Sequence, residues 1–297
     1  MTTSPDKLIA DLKASGSLKV WSLIITFFGD AVEPRGGIVA ASTLQTVMEF
    51  MGVGSGAVRT ACSRLAGDGW IERQKQGRNS FYRLSDMGHT PFRVASRQIY
   101  AAPVKPSQRE SDRAQTFTLV MQNPLKANSA QWQAVRDSGT RINGNCVLFA
   151  NDSEQLPKAI TDTAEFDDML VLSGANASFP DWLKRSVCAD ESAKRYHDLM
   201  HRFTPISQCK PEDPLTSLAI RCLLIHEWRR LLLRSTPVHT ALTPADWPHD
   251  SCHAFVARLY QDIYNAGEKW MDENALGPEG PLQRTKAESA NRFTNDL

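Results

Sequence analysis

The chain has 297 residues, of which 34 are Lys or Arg and 33 are Asp or Glu, leaving a formal charge of +1. With 41% hydrophobic and 23% charged residues its composition is that of an ordinary globular protein, long enough for two or three domains. It holds no run of 18 apolar residues and no cationic-then-apolar leader, which argues against a membrane span and makes a cytoplasmic location the expectation.

The near-neutral total hides an asymmetry. Residues 1–100 carry 12 Lys+Arg against 8 Asp+Glu, residues 101–180 carry 7 against 9, and residues 181–297 carry 15 against 16. The positive excess sits at the N-terminal end and is modest, which fits a site-specific nucleic-acid binder better than a general coat.

Leu18 to Phe28 is an apolar run broken by Lys19, too short to cross a bilayer, and it predicts a first core helix. Gly29-Asp30 ends that helix in this reading, and Glu33-Pro34-Arg35-Gly36-Gly37 makes a turn. Arg35 stands either against DNA or in an internal ion pair.

Ser42 is placed to cap a second helix, whose apolar Leu44, Val47, Met48 and Met51 recur at the spacing of one helical face. Gly52-Val53-Gly54 stops it, because glycine takes the left-handed conformation of a tight helix exit. Ser55 is the next N-cap candidate. Val58, Ala61, Cys62 and Leu65 then repeat the spacing, which leaves Arg59, Thr60, Ser63 and Arg64 on the opposite face. Guanidiniums and short hydroxyls are the groups that read base edges and hold phosphates.

Trp70-Ile71 opens a strand and Phe81-Tyr82-Arg83-Leu84 closes another. Between them lie Arg73, Lys75, Gly77, Arg78, Asn79 and Ser80, a glycine-containing basic hairpin tip. Helix, helix and basic hairpin in that order predict a winged helix-turn-helix over residues 1–100. Such a unit puts its second helix in the DNA major groove and its hairpin against the backbone.

Ala101 to Arg113 reads as a linker. Residues 114–178 then alternate. Thr116–Met121 is a strand, Ser129–Asp137 a helix with Trp132 and Val135 inward, and Asn145–Ala150 a strand. Glu154–Thr163 is a short helix and Met169–Leu172 a strand, with one more strand hidden near Thr140–Ile142. That order predicts a ferredoxin-like α/β sandwich. Asp152, Asp167 and Asp168 are the one acidic group on which an alternative reading, a metal-dependent nuclease, could rest. Asp167-Asp168 reads more simply as a turn.

Residues 179–276 predict a helical domain, with helices over Asp181–Phe203, Pro214–Arg234 and Ser251–Glu273. The run His226-Glu227-Trp228-Arg229-Arg230 is not the zinc motif HExxH, because position 230 is Arg. Arg229, Arg230 and Arg234 suit either a ligand's phosphates and carboxylates or neighbouring acids. Thr243-Pro244-Ala245-Asp246-Trp247 is a cap and turn whose tryptophan either fills a core or lines a pocket. Residues 277–297 are polar and predict a mobile tail. The six cysteines are scattered without a CxxC pair, which predicts reduced, mostly buried thiols and neither a zinc site nor a disulfide framework.

Several of these stretches together resemble the PaaX family of repressors, which control bacterial catabolism of phenylacetate and related aromatic acids. They are Gly29-Asp30 with Pro34-Arg35-Gly36-Gly37, Val58-Arg59-Thr60 with Arg64-Leu65 and Gly69-Trp70, Gly77 to Leu84, His226 to Leu231, and Leu242 to Pro248. The resemblance implies an α+β multidomain chain: an N-terminal winged helix, a middle ferredoxin-like domain and a C-terminal helical domain. It implies a homodimer on an inverted-repeat operator, released by an acyl-coenzyme A effector such as phenylacetyl-coenzyme A, with no catalytic centre, metal or cofactor. Carried onto this chain, Ser55, Arg59, Thr60, Ser63 and Arg64 would read the operator, and Arg73, Lys75, Arg78, Asn79 and Ser80 would hold the backbone, with Arg35 beside them. His226, Arg229, Arg230, Arg234 and Trp247 would mark the effector region.

Overall fold

The computed structural model describes residues 7–8, 10–11, 18–102, 116–151, 158–161, 166–175, 179–188, 190–234, 242–244, 246–285 and 292–294. The chain divides into two compact units. The first gathers Met1–Pro103, Asp198–Leu232 and Ser251–Leu297, and the second Val104–His197 and Leu233–Asp250. Residues 198–232 and 251–297 therefore group with the N-terminal elements. Most of the expected linker, residues 103–113, lies outside the described residues.

In the first unit, helix α1 (Val20–Phe27) buries Ser22 through Phe27. The helix does not end at Gly29-Asp30 as expected. It widens into a π-helical turn, Phe28–Val32, followed by a 3-10 turn, Glu33–Arg35. The reason is that Asp30 is no solvent-facing terminator: it is 1% exposed and fully engaged by partners from distant elements. Strand β1 (Ile38–Ala40) leads directly into α2 (Ala41–Phe50). Ala40 takes the cap position, so Ser42 sits one residue inside the helix, its carbonyl accepting the Thr46 hydroxyl. Leu44, Val47, Met48 and Met51 are all fully buried, as their spacing required.

Gly52 turns the chain at φ +74°, and α3 (Ser55–Gly67) follows with Gly54 as its cap. Strands β2 (Ile71–Gln76) and β3 (Asn79–Leu84) form an antiparallel hairpin, and β3 also pairs with β1, giving the order β1-β3-β2. The sequence reading missed α4 (Asp86–Ile99), which is capped by the Ser85 hydroxyl accepting from the Gly88 amide. Gly88 and Pro91 near its start hide the helical signal, and Gly88 is required there: a Cβ would meet the Trp70 carbonyl at 2.5 Å.

The second unit is built on a four-stranded sheet. Its elements in chain order are β4 (Thr116–Gln122), α5 (Ala130–Ser138), β5 (Thr140–Asn143), β6 (Cys146–Asn151), α6 (Lys158–Thr161) and β7 (Met169–Ala175). The strands lie in the order β5-β6-β4-β7, every neighbouring pair antiparallel. The hidden strand near residue 140 is thus β5. One face of the sheet packs Val120, Val147 and Phe149 against Trp132 and Val135 of α5 and Ile160 of α6. The Trp132 indole donates to the Gly144 carbonyl at 3.0 Å, so the ring is buried without leaving its N–H unpaired. The other face carries Phe117 and Leu148 beneath Leu242, Phe179 and helix α7 (Asp181–Val187), beside an apolar cavity of about 450 Å³.

Three long helices follow. The helix expected over 181–203 is broken at Cys188, whose backbone leaves the helical region, and it resumes as α8 (Asp190–Gln208). Helix α9 (Pro214–Arg234) has almost no amphipathic contrast because Leu218 to Ile225 are buried all round. Helix α10 (His249–Asn274) is the longest, at 26 residues. Gly267 lets α9 and α10 approach: a Cβ there would stand 3.2 Å from the Leu218 Cα. The closing segment is not a mobile tail in its described parts. Strands β8 (Leu276–Gly277) and β9 (Gly280–Pro281) form a short hairpin, and Leu282 and Phe293 are buried.

Candidate nucleic-acid interface

Helix α3 turns Val58, Ala61, Cys62 and Leu65 inward. Burial pushes the Cys62 thiol up to about 11, as expected for an apolar seat. Arg59, Thr60, Ser63 and Arg64 stand exposed on the other side, and Ser55 is half-buried at the first turn. The Thr60 hydroxyl donates to the Gly56 carbonyl at 3.0 Å, which fixes its rotamer and leaves its lone pairs outward. Arg64 reaches Asp68 at 3.6 Å, with both side chains largely solvated, a pairing too weak in water to hold the arginine.

The hairpin projects beyond the sheet. Strand β1 pairs with β3 from Phe81 to Arg83, so among the described residues the strands beyond Ser80 pair with each other alone. Glu72 through Gln76 are exposed on both faces of β2. Such a ribbon buries too little to be held by packing. Its turn chemistry holds it instead: Gly77 sits at φ +60° in a two-residue loop, with Gln76 and Asn79 paired across it. Arg73 is steadied by Ser80, whose hydroxyl accepts from its Nη2 at 2.7 Å, and Arg83 is pinned to Glu72 at 2.7 Å. Arg59, Lys75 and Arg78 have no ion-pair partner among the described residues. Residues 52–84 hold six Lys or Arg against two Asp or Glu. An exposed helix face and an adjoining two-stranded tip thus share an excess of positive charge.

Arg35 does not belong to this surface. It is 2% exposed, and its guanidinium pairs with Glu268 (2.7 Å) and Asp272 (2.7 Å) and donates to the Gln283 carbonyl (3.1 Å). Of the two readings left open by the sequence, the internal ion pair is the one realised.

Of the expected effector residues, His226, Arg229 and Arg230 are engaged by neighbouring groups of the first unit. His226 is fully buried, its Nδ1 3.3 Å from the Thr26 hydroxyl. Arg229 donates to Ser22 Oγ at 2.6 Å, and burial pulls its guanidinium below the ordinary value. Arg230 and Arg202 both grip Glu227 at 3.0 Å. These side chains are committed to core and helix–helix contacts. Trp247 belongs to the second unit, where its ring meets Tyr196 edge-on. The Arg234 side chain lies outside the described residues.

Asp168 pairs with the Lys126 ammonium, and Asp152 lies outside the described residues. Among the described residues no three His, Cys, Asp or Glu side chains are placed to hold a metal ion.

A second constellation escaped the sequence reading. Asp30 accepts from the Tyr100 hydroxyl (2.9 Å), the Tyr260 hydroxyl (3.0 Å) and Arg221 Nε (2.7 Å). Arg221, fully buried, also pairs with Glu268 at 2.7 Å, and Glu268 passes the chain on to Arg35. Arg292 closes it from the other side, with Nη1 3.2 Å from Asp30 Oδ1 and its guanidinium 4.0 Å from the Tyr100 ring centre. Asp30 and Glu268, with the partly exposed Asp272 at the edge, thus face three arginines, and the inner groups have little access to water. Burial alone would raise the Glu268 carboxyl, but Arg221, Arg35 and the Thr285 hydroxyl hold it below its ordinary value. Burial and the Asp30 carboxylate hold the Tyr100 phenol well above its own. The hint in the sequence was Gly29-Asp30 and Pro34-Arg35, whose charges had no local partner.

The comparisons with known proteins agree with one another. Residues 19–88 match the model described as PaaX-like protein, and residues 189–273 match PaaX-like protein C-terminal domain. The transcriptional repressor PaaX of Escherichia coli (strain K12) is 26% identical over 281 residues, covering 88% of this chain and 85% of the relative. A solved structure of an uncharacterized protein from Mycobacterium tuberculosis superposes with a TM-score of 0.50 at 16% identity, covering 78% of this chain and 91% of that one; it shares the fold.

Proposed function

The chain belongs to the PaaX family of regulators, and we propose that it is a transcriptional repressor of phenylacetate catabolism that binds double-stranded DNA through α3 and the β2–β3 hairpin. The observation that carries this reading is the exposed face of α3, with Arg59, Thr60, Ser63 and Arg64, followed at once by a solvated hairpin bearing Arg73, Lys75 and Arg78. Helix α2, its glycine exit, α3 and the hairpin run in the order of a winged helix-turn-helix. The β-α-β-β-α-β order of the second unit, with its strands arranged β5-β6-β4-β7, supports the ferredoxin-like reading.

In this reading α3 lies in the major groove, where guanidiniums and hydroxyls reach base edges, and Lys75, Arg78 and Asn79 rest on phosphates. Two copies related by a two-fold axis would read half-sites about 34 Å apart, one helical turn, or a multiple of it. An aryl-acyl-coenzyme A such as phenylacetyl-coenzyme A would release the operator by binding more tightly to the form whose reading helices are misaligned. Linkage then requires DNA to weaken effector binding by the same factor.

The test is binding of the chain to the promoter region of its own operon, titrated with phenylacetyl-coenzyme A and with free phenylacetate. Tight, salt-dependent binding released by the thioester alone is the expected result. Binding indifferent to both compounds removes the effector from the proposal, and the absence of any sequence preference removes the repressor.

A further inference from the structure

We infer that Arg292 and Phe293 form a strap that positions the DNA-reading elements, so that the C-terminal end of the chain sets the selectivity of the N-terminal interface. The inference rests on the reading of α3 and the hairpin as that interface.

The geometry begins at the π-helical turn. Arg292 spreads its guanidinium over two successive carbonyls there, Nη2 donating to Gly29 O at 3.0 Å and Nη1 to Asp30 O at 2.9 Å. The same Nη1 lies 3.2 Å from Asp30 Oδ1 and 3.4 Å from the Tyr260 hydroxyl. This fork holds backbone as well as a side chain, so it fixes the direction in which the chain leaves the turn. From there the 3-10 turn with Arg35, then β1, then α2 and α3 succeed one another without a break. Strand β1 also sets the register of β3 and through it of the hairpin. Every element assigned to DNA hangs from residues 28–40.

The strap is held as firmly as the turn it grips. The Arg292 carbonyl accepts from Gln261 Nε2 at 2.6 Å, and the Phe293 amide donates to the Tyr100 carbonyl at 3.0 Å. The Phe293 ring is 5% exposed, with Tyr100 and Tyr260 ring centres at 5.5 and 5.2 Å. Phe293 has φ +65°, and no other described non-glycine residue has a positive φ. A bulky residue rests there only when its surroundings over-determine it, and such strain gathers at positions with a job beyond packing. A loose C-terminal end has no reason to adopt it.

The C-terminal hairpin braces the same frame at a second point. The Leu276 amide donates to Thr43 Oγ1 of α2 at 3.0 Å. Arg292 above the π-helical turn and Leu276 beside α2 therefore grip both ends of the segment that carries β1.

The experiment compares the full chain with Arg292→Ala and Arg292→Lys by two readouts at 20 °C. The first is the ratio of affinity for the promoter site to affinity for unrelated duplex of equal length. Partial unfolding lowers both affinities by one factor and leaves the ratio alone. Misplacement of α3 costs the base contacts and spares the phosphate attraction, so it lowers the ratio. The second is amide exchange across residues 32–40 and 55–67, without DNA. The inference expects Arg292→Ala to lose at least tenfold in the ratio, with faster exchange in both segments. Arg292→Lys, which keeps the charge but cannot fork over two carbonyls, should fall between. If Arg292→Ala fails to fold, Arg292→Lys alone carries the test with the same directions. An unchanged ratio together with unchanged exchange overturns the strap. Faster exchange in a protein whose unaltered form shows no site preference keeps the mechanical coupling and removes the DNA reading on which the inference rests.

Discussion

Asp30 is the place to test whether the buried charges hold the first unit together. Asp30→Asn keeps the shape and removes one negative charge. In the native chain the two oxygens of Asp30 take Arg221 Nε at 2.7 Å, two tyrosine hydroxyls and Arg292. The amide can still accept from one side, but its NH₂ then faces donors, and the cluster is left with three arginines against two acids. Breaking one partner of a buried pair costs about 3–5 kcal/mol, because the remaining charge stays buried. Arg221 keeps Glu268 at 2.7 Å, so the lower end applies, about 3 kcal/mol. At roughly 2–4 °C per kcal/mol for a unit of this size, the melting midpoint should fall by about 6–12 °C. The assay is thermal unfolding followed by circular dichroism at pH 7, with Arg221→Met and the double variant beside the single one. The double variant should cost much less than the sum of the singles, since each removes the charge that the other left unpaired. A loss under about 1 kcal/mol for Asp30→Asn, or strict additivity of the pair, refutes the reasoning.

The remaining predictions concern the same surfaces. Arg59→Ala should weaken operator binding by about 1–3 kcal/mol and relax one base preference, read by competition with single-base variants of the site; unchanged affinity removes α3 as the reading helix. Lys75→Ala should weaken all duplexes alike and reduce the slope of log affinity against log salt by about one, whereas a sequence-selective loss makes Lys75 a base reader. The Glu268 carboxyl is held below its ordinary value of 4.5 in the fold, so its contribution is complete above that value and is lost as pH falls through the lower, folded one. The melting midpoint should accordingly decline as pH drops below about 5, and Glu268→Gln should flatten that decline. An acid profile identical in the two proteins would assign the decline to other groups.

Periodicity made the local elements legible. Leu44, Val47, Met48 and Met51, then Val58, Ala61, Cys62 and Leu65, declared two helical faces, and burial confirms every one. The solvated face of α3 came by subtraction. The β-rich apolar run Thr116–Met121 and the Trp132–Val135 spacing likewise exposed a strand and its helix. Long-range pairing was not legible. Asp30, Arg221, Glu268 and Arg292 are scattered over more than 260 positions and share no period, so no window of sequence reveals that they meet. At His226 and Arg229 the sequence left a ligand role and internal contacts both open, for a related reason. A polar run on a helix resembles a ligand site until the helix is seen to be surrounded, and α9 buries His226 and Trp228 together. The packed closing segment was hidden because Leu282 and Phe293 are single apolar residues in polar context, and a lone apolar side chain carries no pattern.

Five of the six cysteines are buried, and Cys209 is exposed. Burial pushes the Cys62 and Cys188 thiols up to about 11 and Cys252 up to about 12. At pH 7.5 a thiol at about 11 is a thiolate in roughly one molecule in three thousand, and the thiolate is the species that alkylates. Cys209 therefore stands apart by its exposure: a maleimide at neutral pH should find it first. It lies just past the last turn of α8, on the short connection to α9. The native chain thus carries its own attachment point for a fluorophore, in the unit that also holds α3, with no cysteine to remove.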